Sequence, residues 1–354
     1  MKVRIIGGGL AGCALAYQLK KQGAEPLIYE SGPTLAGHAS GNSVGLYNPR
    51  LSAFLDPQSL YFKSAFALAL QTFPTLEDID WNPCGALHLM TDEKKIKRFS
   101  QTVKHWGWGP ELIRLVNAYD ASEIAKTPLS HAALFLPQAG TVSPEKLCHA
   151  YTKNIEIYLN TPFTEDDFNK YDTDRIVICS GASAKNFRLT KDIPLTTIRG
   201  QITQIGETGL SQKLSCALCY GGYITPSVQE HHTLGATFQR WLDHTDILPQ
   251  DDIDNLEKLR PVAPELYDSV SLRPIAAHRA GVRVSSPDHF PLVGRLQNTK
   301  HVFISTAHGS HGILSTLMAG QLLSDMILGT IPSLPETSCK ALAPDRFMQD
   351  PPHI

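Results

Sequence analysis

Three glycines and one acid carry the first recognisable chemistry in this chain. Gly7-Gly8-Gly9-Leu10-Ala11-Gly12 follows the apolar run VRII, and Glu30 stands eighteen residues after Gly12. Each residue type has a mechanical reason. Gly7 permits a tight turn, Gly9 lets backbone approach a pyrophosphate, and Gly12 lets a helix pack closely on a strand. The N–H groups that open such a helix face the phosphate charge. Glu30, at the end of a second strand, can accept hydrogen bonds from a ribose hydroxyl. The pattern predicts a dinucleotide site, with Leu10, Ala11 and Ser31 beside it.

The elements that must place these residues are legible by their periods. Residues 2–6 read as a short buried strand. CALAYQLKKQG carries Leu15 and Leu19, with Ala11 and Ala14, at helical spacing and stops at Gly23, and PLIYE is a second strand. After Glu30 the strand–helix repeat does not continue. The chain enters the loop HASGNSVGLYNPRLS, residues 38–52, and then the helical stretch SLYFKSAFALALQTF. A third strand on the nucleotide side, 174–179, comes far downstream and ends in Ser180-Gly181-Ala182, small residues that let backbone approach a cofactor. Segments split in this way suit the extended cofactor FAD better than NAD. On that reading the 38–52 loop is a second wall of the cofactor site. Ala39, Ser40, Gly41 and Asn42 reach the pyrophosphate and flavin, Gly45 and Leu46 lead the chain along the ring, and Arg50 is the nearest unassigned cation. Late in the chain, VFIST, a loop over 307–312 and a helix from Ile313 place Gly309, Ser310, His311 and Gly312 at a helix N-terminus. There, backbone N–H groups could stabilise a polarised ring edge; the alternative is a plain turn that uses its glycines structurally.

Bulk properties bound what surrounds the site. The chain has 354 residues, 42% hydrophobic and 19% charged, enough for two domains with ordinary globular cores. The expected fold class is α/β: a discontinuous Rossmann-type FAD domain over 1–84, 140–195 and 281–354, interleaved with an antiparallel-sheet substrate domain over 85–139 and 196–280. Alternation in TTIRGQITQIG and LCYGGYITPSVQEHHTLGATFQR predicts strands with one polar face lining a site. A net charge of −2 announces no global field for nucleic acid. The cluster Lys94, Lys95, Lys97, Arg98 and Lys104 reads as a solvated helix face. No apolar run reaches membrane-spanning length. The opening MKVRIIGGG leaves no room for a signal or transit peptide, and seven cysteines fit reduced thiols; both point to the cytoplasm. Cys216 and Cys219 form a lone CxxC, read as packing rather than as a zinc site, and no metal is expected. Residues 332–354 are Pro-rich and are expected to form a loosely packed tail.

Further motifs run from end to end: IIGGGLAGCALA, ASGNSVGLYNPRLS, PLTTIRGQIT, CYGGYITP with HHTLGATFQRW, RAGVRVSSPDHFPLVGRL, HGSHGILSTLMAGQLL and LAPDRF. With them the chain resembles the D-amino-acid oxidase and glycine oxidase superfamily of FAD enzymes. Within it, the chain is most similar to the oxidase half of bifunctional enzymes that modify the wobble uridine of tRNA. IIGGG marks only the superfamily, whereas ASGN with GLYNP, the GYITP and LGATFQR pair, and APDRF are specific to the tRNA branch.

The resemblance implies an FAD oxidase that removes the carboxymethyl group of 5-carboxymethylaminomethyl-(2-thio)uridine as glyoxylate. Molecular oxygen would be the acceptor. Because the chain opens at the first FAD strand, a methyltransferase step would fall to a separate enzyme. The same likeness implies that Arg283, in A-G-V-R, holds the substrate carboxylate. Tyr223 would line the substrate site. Arg279 falls on the same side of the strand by period-two counting and would assist or pair with an acid. His308 and His311 flank the late loop and are expected to pack or hydrogen-bond rather than act as bases. Two other readings remain open: an oxidase of free glycine, sarcosine or a D-amino acid, and a flavin-carrying interaction protein without turnover.

Overall fold

The computed structural model describes residues 1–171, 174–240, 242–297 and 299–347. Two large sheets organise it. In the six-stranded sheet, Lys2–Ile6 lies parallel between Glu25–Tyr29 and Arg175–Ile178. Glu156–Tyr158 extends one side and Val302–Thr306 the other, with Leu292–Arg295 as an antiparallel edge. Val3, Ile5, Ile28, Val177 and Ile304 are fully buried, as strands of a sheet covered on both faces must be. The first crossover leaves Lys2–Ile6 to one side, and the later strand Arg175–Ile178 joins on the other. The sheet therefore opens a crevice at its carboxyl edge, where ligands of such folds sit. Helix Leu10–Lys21 packs on Gly312–Leu328 so closely that a Cβ on Gly320 would lie 2.9 Å from Ala14 backbone.

The eight-stranded sheet runs Ile275–Ser285, Thr196–Gly206, His231–Gly235, Tyr223–Ile224, Ala217–Cys219, Ala86–Leu89, Ala133–Leu136 and Arg114–Val116. It departs from an all-antiparallel sheet at one pairing, Ala217–Cys219 with Ala86–Leu89, which is parallel. That pairing is the seam at which two segments distant in sequence close one sheet. Ile275–Ser285 pairs along its length with Thr196–Gly206, so the 280/281 boundary expected from sequence falls inside a strand. This long pair carries Arg279 and Arg283 toward the crevice.

The expected loose tail is not loose over 332–347. Glu336–Leu342 is a helix whose Leu342 is fully buried and whose Ser338 hydroxyl donates to Pro57 O at 3.0 Å. Arg346 forks onto Asp288 with two bonds of 2.9 Å and also donates to Phe290 O and Pro291 O. Partners more than fifty residues away hold what composition alone would leave free. The remainder of that expectation, 348–354, lies outside the described residues. The basic cluster sits on Glu93–His105, a helix that buries Phe99 and Thr102 and leaves Lys94, Lys97, Arg98 and Lys104 exposed. Among the described residues no helix is long and apolar enough to cross a membrane.

Candidate active site

The glycine loop is shaped by contacts that leave no room for side chains. Gly7 has φ +111°, and a Cβ there would meet Cys179 O at 2.7 Å. A Cβ on Gly12 would lie 2.0 Å from Gly7 O. Glu30 closes the loop: Oε2 accepts from Gly8 N–H at 2.7 Å and Oε1 from Gly32 N–H at 2.7 Å. A carboxylate has about four acceptor positions, so a ribose hydroxyl can still bond to it. Ser31 also donates to Glu30.

The 38–52 loop folds over this strand–helix junction. Ser40 Oγ accepts from Leu10 N–H at 3.0 Å, binding the loop to the helix start. Arg279 clamps it from the other sheet, donating to Asn42 Oδ1 at 3.1 Å, to Gly37 O at 3.3 Å and to His38 O. Gly41 makes that clamp possible, since its Cβ would lie 2.5 Å from the guanidinium. Arg279 thus pairs with loop carbonyls and an amide rather than with an acid. Arg50 turns away and donates to His289 O at 2.8 Å.

A cavity of about 1830 Å³ lies between the two sheets. Of the residues expected at cofactor and substrate, all but Gly12 and Gly41 line it. Those two shape the loops from behind. The walls fit FAD on three counts. The helices Leu10–Lys21 and Gly312–Leu328 both start without a bond from the N-cap residue's own side chain; Ser40 Oγ takes the Leu10 N–H, and the Ala11, Gly312 and Ile313 N–H groups are left for an acceptor ligand. Ser180 Oγ, a lining residue, is buried with no partner among the described residues. Small residues at 7, 9, 181, 309 and 312 leave backbone exposed along the cavity.

Arg283 occupies the substrate side. Its guanidinium lies on Gly200, where a Cβ would come within 2.3 Å of Nη1, and it makes no hydrogen bond or ion pair among the described residues. Burial lowers its pKa, opposed by Tyr223, yet an arginine stays charged. Burial pushes the Tyr223 phenol up to about 12, although Arg283 pulls the other way, so it remains an O–H donor at neutral pH. Three imidazoles are held neutral. Burial takes His308 down to about 3, and both its ring nitrogens contact hydroxyls, Ser305 at 3.0 Å and Ser315 at 2.9 Å. Burial, reinforced by Arg50 and Arg283, takes His311 to about 4. His88, brought in by Ala86–Leu89 and 3.1 Å from Asn48, also falls to about 4 through burial, Arg98 and His311. His88 and Asn48 line the cavity without having been singled out from sequence. Only the closure of the parallel seam brings strand 86–89 here, and no local signal reports it. Cys216 and Cys219 are free; burial pushes both thiols up, Cys219 to about 12. Among the described residues no group of three His, Cys, Asp or Glu side chains could hold a metal.

Known proteins are similar to this chain in sequence and in fold. Two relatives are each 30% identical, from Chromobacterium violaceum and Hahella chejuensis, and both are named tRNA 5-methylaminomethyl-2-thiouridine biosynthesis bifunctional protein MnmC. The alignments cover 97% and 98% of this chain but 59% and 60% of those proteins, so the chain spans about three fifths of their length. Among solved structures, glycine oxidase from Geobacillus kaustophilus superposes with TM-score 0.79 at 20% identity, over 97% of this chain and 98% of its own. L-proline dehydrogenase from P. horikoshii does so with TM-score 0.81 at 15% identity, over 98% and 97%. These likenesses show the fold. The family described as FAD dependent oxidoreductase (DAO) matches residues 2–326, the span that holds both sheets and every wall of the cavity, and the chain belongs to that family.

Proposed function

We propose that this FAD-dependent oxidoreductase acts on the wobble uridine of tRNA in the cytoplasm. It would remove the carboxymethyl group of 5-carboxymethylaminomethyl-(2-thio)uridine as glyoxylate and leave the 5-aminomethyl form. The observation that carries the reading is Arg283, a cavity guanidinium without a partner among the described residues, in a chain aligned over 97% of its length with proteins named for biosynthesis of that nucleoside. A planar cation fits a carboxylate with two parallel bonds. Tyr223, still protonated, adds a donor beside it. Together they would hold the glycine-like tail with the carbon between amine and carboxylate turned toward the cofactor.

Bound FAD supplies the hydride acceptor. The carbon next to the secondary amine gives up a hydride with its electron pair. The resulting iminium takes up water and splits into glyoxylate and the primary amine. The neutral imidazoles of His88 and His311 add no positive charge against the cationic iminium. Molecular oxygen is the proposed electron acceptor, leaving as hydrogen peroxide, and a separate methyltransferase would carry the nucleoside to its methylaminomethyl form. The test supplies FAD-loaded protein with tRNA bearing the carboxymethylaminomethyl group and follows its nucleosides by mass spectrometry. The expected result is loss of the carboxymethyl increment, about 58 daltons, with stoichiometric release of glyoxylate. No conversion, beside brisk peroxide release from free glycine, sarcosine or a D-amino acid, would give the site to small amino acids instead.

A further inference from the structure

Phe238 is 48% exposed at the rim of the cavity, although the residue after it is tied down by both backbone and side chain. Its neighbour Gln239 pairs backbone to backbone with Arg199, N–H to O at 3.0 and 2.9 Å, and its side chain bonds both Arg199 and Asp251. Arg199 is fully buried and paired with Asp251, beneath the rim. Gln239 is half-buried, whereas Phe238 and Arg240 on either side of it are both exposed. The Arg240 guanidinium stands 5.7 Å from the Phe238 ring centroid. It is steadied from below by His289: Ser285 Oγ, which donates to Ser286 O, accepts the His289 Nδ1 proton at 3.0 Å, so Nε2 is free to accept from Arg240 at 3.4 Å. His289 O in turn accepts from Arg50. Neither Arg240 nor Arg50 has a carboxylate partner among the described residues. Two acids follow on the loop: Asp243, which lines the cavity and makes no ion pair with Arg240 among the described residues, and Asp246, which lies 3.2 Å from His244 Nδ1.

We propose that Phe238 and Arg240 form a stacking platform for the nucleobase next to the oxidised uridine in a single-stranded RNA loop. The proposal rests on the tRNA reading and deepens it. A rigid exposed aromatic ring with a guanidinium beside it matches the way unpaired bases are seated on proteins. The spacing to the chemistry is short. Arg283 Nη1 and Thr237 O crowd the same point over Gly200, at 2.3 and 2.7 Å, and Phe238 is the next residue. A uridine whose carboxylate tail rests on Arg283 therefore places its chain neighbour at this rim. The unpaired charges of Arg240 and Arg50 suit the phosphates on either side of that base. A free amino acid, filling only the space beside Arg283, would never reach the ring.

The test compares FAD-loaded wild type with Phe238→Ala, Phe238→Trp and Arg240→Ala on two substrates: an anticodon stem–loop RNA carrying 5-carboxymethylaminomethyluridine, and the free nucleoside. The ratio of kcat/KM for RNA over nucleoside should fall about 5- to 150-fold in Phe238→Ala, the range given by a lost base–aromatic stack, and recover in Phe238→Trp. Arg240→Ala should lower the salt dependence of RNA binding by about one counterion. A 2-aminopurine beside the wobble position should lose its protein-induced quenching in Phe238→Ala alone. An unchanged ratio in Phe238→Ala, with wild type converting the RNA normally, overturns the platform and leaves the tRNA oxidase reading standing. An equal loss on both substrates also overturns it, making Phe238 a wall of the pocket. Wild type that oxidises the nucleoside but not the RNA overturns both.

Discussion

Arg283 can lie flat against its sheet only because residue 200, on the neighbouring strand, has no side chain to occupy that space. A charge-assisted pair with a carboxylate contributes about 1.5–3 kcal/mol, so Arg283→Ala should raise KM about 10- to 100-fold while the flavin spectrum stays unchanged. Arg283→Lys should recover only part of this, because a point charge cannot reproduce the two-pronged geometry. Steady-state kinetics beside an absorbance spectrum decide it, and an unaltered KM would remove Arg283 from the carboxylate. The neutral imidazoles carry a second prediction. Unfolded, His88 and His311 take up a proton near about 6.5; folded, they do so near about 4. Between those values the unfolded chain binds more protons, so their contribution to stability is complete above pH about 6.5 and is lost as pH falls toward 4. Melting temperature measured across that window should decline in wild type and decline less in His88→Asn with His311→Asn. Parallel curves would contradict the assignment.

At the scale of elements, the loop that follows the Arg283 strand is set by a residue from the far end of the chain. Burial alone would raise the Asp288 carboxyl, but Arg346, Ser286 and the Phe290 N–H hold it below its ordinary range. Arg346→Ala takes the charged donor from that carboxylate, which keeps Ser286 and the Phe290 N–H, and takes the guanidinium bond from the Pro291 carbonyl, at a cost of about 2–3 kcal/mol. For a chain of this size the melting temperature should drop by roughly 3–4 °C; a shift under a degree or so would show that 343–347 is dispensable. Arg346 also explains what sequence can and cannot reveal. The GGGLAG turn and Glu30 were legible because a strand, a turn and a helix contiguous in sequence build them. The strand pair holding Arg283 was legible by alternation and by resemblance. His88, the Arg199–Asp251 pair and the docking of 332–347 were not, since each depends on register between segments tens to hundreds of residues apart. Pro-rich composition misdirected the last of these. It reports low helix propensity and says nothing about whether Ser338 will find Pro57 O or Arg346 will find Asp288.

At the scale of the whole molecule, both sheets supply walls of one cavity. Side chains join the two sides at the loop over 37–42: Ser40 holds it to the nucleotide helix, and Arg279 holds it to the long strand of the other sheet, with Asn48–His88 a further contact downstream. A cofactor that touches this loop binds both sheets at once, so its affinity includes the order of the loop. Without Arg279 the loop is anchored at one end only, and part of the binding free energy goes into ordering it. Arg279→Ala should therefore weaken FAD about 10-fold or more, read by titrating apoprotein and following flavin fluorescence. The gain in melting temperature at a fixed FAD concentration should shrink accordingly, since ligand stabilisation follows the ratio of free ligand to Kd. KM for the amine in fully FAD-loaded variant should change little, which separates this residue from Arg283. Arg279→Ala with unchanged FAD affinity and a raised KM would instead make it a second carboxylate ligand. The two arginines, four residues apart on one strand, would then serve the substrate together rather than dividing cofactor and substrate between them.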